Sequence, residues 1–64
     1  MDKKELIQIA LIAIRKRMDY ETLKYSDYLY GKEDMIDDVW EYVEECEEIG
    51  SIAFNEKYKD DIKK

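Results

Sequence analysis

The sequence predicts an all-α chain, a small helical hairpin or three-helix unit with segments at about 3–30, 32–49 and 51–62 in one domain. Three observations point there. The 64 residues contain no proline, and Gly31 and Gly50 are the strong breakers. Apolar residues recur at spacings of three and four in all three segments. The stretch that reads most like a strand, LKYSDYLY, has no second strand to pair with.

The first segment is built on Leu6 to Ile14, LIQIALIAI, where eight of nine residues are apolar. Asp2, with Glu5 three residues on, forms a capping box that starts the helix near Lys3. Ile7, Leu11, Ile14 and Met18 make one stripe, with Leu6 and Ala10 beside it, while Ile9 and Ile12 point to the other side. A helix apolar on both sides is buried on both sides. A chain this small has little material for a second cover, so Ile9 and Ile12 are expected to form a homodimer seam. The stripe runs on to Tyr25, Tyr28 and Leu29, which favours one helix as far as Tyr30, about 42 Å long. A break at Asp19, acting as an N-cap, is the competing reading.

Gly31 is expected as the residue that ends the first helix, and Glu33 and Asp34 suit the first turn of the next. That second helix carries Met35, Ile36, Val39, Val43 and Cys46 on its apolar face, flanked by Trp40 on one side and by Tyr42 and Ile49 on the other. Gly50 ends it, and Ser51 can cap a third helix whose stripe is Phe54, Tyr58 and Ile62. The second and third helices together are about as long as the first and can lie along it.

Charge is unevenly divided. Residues 1–32 carry seven basic and five acidic groups, net +2, whereas residues 33–64 carry four and twelve, net −8. The acidic half argues against direct binding to nucleic acid. Arg15, Lys16 and Arg17 are three cations with Asp19 and Glu21 close behind, the pattern of an ion-paired, solvated helix face. A single cysteine points to a reducing compartment, and Cys46, on an apolar face, reads as a buried structural thiol. The lysines ahead of LIQIALIAI resemble the start of a leader. However, RKR follows at once, no small-x-small cleavage site is present, and nine apolar residues cannot cross a bilayer. The expectation is a cytoplasmic protein with no membrane partner.

The most unusual feature is the polar side of the second helix. Asp34, Asp37, Asp38, Glu41, Glu44, Glu45 and Glu48 line it, with Glu33 and Glu47 beside them, and no Lys or Arg occurs between Lys32 and Lys57. These nine carboxylates span about 24 Å, roughly one charge per 2.7 Å, against about one per 1.7 Å in duplex DNA. Two readings compete. The face either keeps a small protein soluble or docks on a basic partner, with Trp40 and Tyr42 as aromatic anchors at its edges. Glu41 and Glu45 are expected to be replaceable by Lys without cost to the fold, because neither lies on the apolar stripe.

An enzyme reading has a narrow basis. Within EECEE, residues 44–48, Glu44, Glu45 and Glu48 resemble the EExxE half of the motif of MazG-like nucleotide pyrophosphohydrolases. That resemblance implies carboxylates holding Mg²⁺. The ExxD half is missing, since Glu56 is followed three residues later by Lys59. With no histidine and one cysteine there is no material for a histidine triad or a zinc site. No catalytic residue, cofactor or metal is therefore expected.

The functional expectation is a non-catalytic acidic interaction protein that binds a basic protein partner, such as a nucleic-acid-handling enzyme. In size, acidity and tyrosine content the chain resembles the small inhibitors that phages and mobile elements direct against host enzymes, anti-CRISPRs among them. The alternative is a helical adaptor or antirepressor that binds through the apolar face of the first helix.

Overall fold

The structure, a computed structural model, describes residues 2–62 and is all-α. Four helices and two 3₁₀ turns lead to a short fifth helix: α1 (Lys3–Lys16), α2 (Tyr20–Lys24), 3₁₀ turns at Asp27–Leu29 and Glu33–Met35, α3 (Ile36–Ile49), α4 (Ser51–Lys57) and α5 (Lys59–Ile62).

Helix α1 starts where the capping signal places it, with Asp2 Oδ1 accepting the Glu5 amide at 2.9 Å. It ends fourteen residues later, so the continuous helix to Tyr30 is not formed. Arg17 takes the left-handed conformation (φ 56°, ψ 44°). The Met18 amide donates back to Ala13 O at 2.9 Å and the Arg17 amide to Ile14 O at 3.1 Å. This pair of bonds is a Schellman termination, with arginine at the position glycine normally takes. Asp19 then caps α2, its Oδ1 accepting the Thr22 amide at 2.8 Å, and that contact holds its carboxyl below its usual pKa. The longest dimension of the chain, 30 Å, has no room for a 42 Å rod.

The apolar pattern beyond Met18 misled for a physical reason. The residues buried there are Leu23 and Leu29, whereas Tyr25 is 73% exposed. Tyrosine supports helical spacing in a pattern count while its hydroxyl also suits the surface. After the turn at Leu29, Gly31 has φ +77° and the Lys32 amide donates to Leu29 O at 2.8 Å. Gly50 ends α3 at φ 91°, ψ 155°, a region open essentially to glycine alone. The constraint is conformational, since no heavy atom lies within 4 Å of where a Cβ would stand. Gly50, not Ser51, occupies the N-cap position of α4, and no side chain caps that helix.

The core lies on both sides of α1. Toward α2 and α3, Leu6, Ile9, Ala10 and Ala13 pack with Leu23, Leu29, Ile36, Val39 and Val43. Toward α4 and α5, Ile7 packs with Cys46, Phe54 and Tyr58, and half-buried Leu11, Ile14, Tyr42 and Ile62 join them. The two-sided burial of α1 is thus real, but both covers come from the same chain. Ile9 is 8% exposed inside the first cluster and Ile12 is half-buried. After the turn at Arg17, Leu23 and Leu29 pack in the same cluster as Ile9, so Ile9 has a cover within the chain, whereas Ile12 belongs to neither cluster. Full burial of a Leu, Ile, Val or Phe side chain stabilises by about 1.5–3 kcal/mol. Among the described residues no helix is long and apolar enough to cross a membrane.

Candidate functional site

Helix α3 divides its residues sharply. Ile36, Val39, Val43 and Cys46 are buried, and burial raises the pKa of the Cys46 thiol, helped by Glu47 and Glu45. On the opposite side Asp37, Asp38, Glu41, Glu44 and Glu48 are exposed, and Asp34 is exposed in the turn before the helix. The acidic face therefore exists as a surface.

Two carboxylates of α3 are tied back into the chain. Tyr20 Oη donates to Asp37 Oδ1 at 2.6 Å, which raises the tyrosine pKa, and the Tyr20 ring meets Trp40 edge-on at 5.6 Å. Glu45 is only 25% exposed at its side chain. Lys57 pairs with its Oε2, and Tyr58 Oη donates to its Oε1 at 2.6 Å. The lysine contact first and the tyrosine contact second lower the pKa of Glu45. The same contacts raise the pKa values of Lys57 and Tyr58. Lys3 and Lys57 lie 5.4 and 5.3 Å from the Tyr58 ring centre, so this cluster clamps α4 and α5 against α3. Glu45 consequently belongs to the fold, and the expectation that it can be reversed to Lys without cost does not hold.

Asp38, Glu41, Glu44 and Glu48 form no ion pair among the described residues. Glu44, Glu45 and Glu48 do not converge: among the described residues no group of three His, Cys, Asp or Glu is placed to hold a metal ion. Trp40 is half-buried against the first cluster. Tyr42 packs against both clusters and stacks edge-on with Tyr58 at 5.6 Å, which makes it more wall than anchor.

The pattern of the sequence did not reveal a cleft of about 360 Å³ between the end of α1 and α3. Ala13, Ile14, Met18, Trp40 and Val43 line it together with Arg17, Asp19 and Glu47, Ala13 and Val43 being buried. It exists because α1 stops at Arg17 beside small Ala13, a stop that no glycine announces. Comparison with protein-family models, with curated proteins and with solved structures returned no match for this chain.

Proposed function

We propose that the chain is a non-catalytic binding protein that docks the outer face of α3 on the basic, nucleic-acid-binding surface of a partner protein and inhibits it by occupying that surface. The observation that supports this reading is the set Asp38, Glu41, Glu44 and Glu48. These carboxylates lie on the side of α3 away from the core and have no ion pair among the described residues. Like charges such as Asp37 with Glu41 and Glu44 with Glu48 sit at i,i+4, each pair opposing the helix by about 0.2–0.5 kcal/mol. Cations on a partner turn that repulsion into attraction. The reading places the chain beside the small inhibitors of phages and mobile elements that its composition resembles, acting in the cytoplasm on a nucleic-acid-handling enzyme. The alternative is a helical adaptor or antirepressor that binds through the apolar face of α1, and the packing of Ile7 and Ile9 within the chain favours the α3 reading over it.

The test is capture from lysate of the source cell, or of its host, with the tagged chain and with an E41K/E44K/E48K variant, each with and without duplex DNA. The proposal expects basic nucleic-acid-binding proteins that the variant fails to retain and that DNA displaces. Equal retention by both chains, or indifference to DNA, overturns it.

A further inference from the structure

We infer that the cleft between α1 and α3 is an anchor site for one arginine side chain projecting from the partner's basic surface, an inference that rests on the function proposed above and names what the partner inserts. The cleft is not part of the outer acidic face. Trp40, Val43 and Glu47, spaced three and four apart, run down the flank of α3 that faces the end of α1. A volume of about 360 Å³ is within the lower range of sites that hold small organic groups.

The lining selects the occupant. The apolar lining residues Ala13, Ile14, Met18 and Val43 suit the methylene stem of a long side chain. Trp40, half-buried and edge-on to Tyr20, is among the lining residues, and guanidinium stacks on indole more favourably than on other rings. Glu47 and Asp19, the latter with Oδ1 already engaged in capping α2, line the cleft with one cation, Arg17, so the local balance favours a positive head group. Arg17 is itself exposed, in a left-handed backbone conformation, and forms no ion pair among the described residues. It opposes a cationic guest, which makes it the informative residue to change. Its replacement by glycine also suits the backbone there.

The experiment titrates the full-length isotope-labelled chain, at physiological ionic strength, with N-acetyl-arginine N-methylamide and with the leucine and glutamate analogues, reading the Trp40 indole, Met18 methyl and Ala13 methyl signals. The arginine amide should give saturable shifts at these three positions and bind more tightly than either analogue. Glu47→Gln should weaken it by about two- to fivefold, the size of one exposed charge pair, and Arg17→Gly should tighten it by a similar factor. Equal binding of the leucine amide, preference for the glutamate amide, shifts spread along Asp37–Glu48 without saturation at Trp40, or no shifts would each overturn the inference. The titration needs no partner, so a cleft that binds arginine in a chain that captures nothing separates this claim from the docking claim.

Discussion

Arg17 holds the glycine position of a Schellman turn, and replacing it with glycine should make the protein more stable although a side chain is lost. An L-residue in the left-handed conformation costs roughly 1–2 kcal/mol. Glycine returns part of that gain, about 0.5–1 kcal/mol, through the greater freedom of its unfolded chain, and loss of a cation at the C-terminus of α1 removes about 0.3 kcal/mol more. The net stabilisation is about 0.5 kcal/mol. For a domain of this size that raises the melting temperature by roughly 2–4 °C. Thermal unfolding followed by circular dichroism measures it directly. Arg17→Ala is the control, because alanine keeps the backbone strain and loses the charge, so it should melt no higher than the parent. Arg17→Asn should fall between the two, asparagine being the other residue that tolerates this conformation. A glycine variant that melts below the parent, or an alanine variant that matches glycine, would refute the assignment of strain to this position.

Three further outcomes follow from the packing and the charges. Phe54 is fully buried, and Phe54→Ala should remove about 3–5 kcal/mol from a total of about 3–10 kcal/mol for a chain of this length, seen as a large drop in melting temperature or as loss of the melt. Ile9→Lys should unfold the chain itself, seen as loss of helical dichroism, rather than yield a folded species of lower mass by light scattering. Glu45→Gln should lower the melting temperature at neutral pH. Because the folded-state pKa of Glu45 is lowered, its contribution is fully present above the unfolded value of about 4.3 and is lost as pH falls through the folded value. The gap between parent and variant should therefore close in acid, and a gap independent of pH would argue against the Lys57 and Tyr58 contacts as its source.

The fold class, the start of α1, the break at Gly50 and the burial of Phe54 and Tyr58 were legible because each rests on a local rule: a cap, a glycine or a period of 3.6; Gly31, expected to end the first helix, instead lies between two 3₁₀ turns. The end of α1 was not legible. Its terminator is an arginine, and the apolar spacing continues across it through tyrosines that are exposed once the chain turns. A straight rod to Tyr30 leaves Ile9 without a cover, whereas the turn at Arg17 supplies one through Leu23 and Leu29. The cap at Asp19 was the available signal, and it formed. The acidic face was legible as a surface because helical geometry alone places Asp38, Glu41, Glu44 and Glu48 opposite the apolar stripe. The capture of Glu45 by Lys57 and Tyr58 and of Asp37 by Tyr20 depends on contacts distant in sequence, which periodicity does not encode. The same holds for the cleft at Trp40.

The central claim is that the outer face of α3 carries binding while the opposite face carries the fold. Its most direct test measures the association rate of a captured partner with the parent chain and with E41K/E44K/E48K across a range of salt concentrations. Exposed charges are screened over about 8 Å at physiological ionic strength, and loss of steering acts mainly on association. The account predicts an association rate that falls steeply with salt for the parent. The variant should associate slowly at every salt concentration, with a melting temperature no lower than the parent's. Equal rates for the two chains, with equal salt dependence, would contradict it and make the carboxylates of α3 a device for solubility alone.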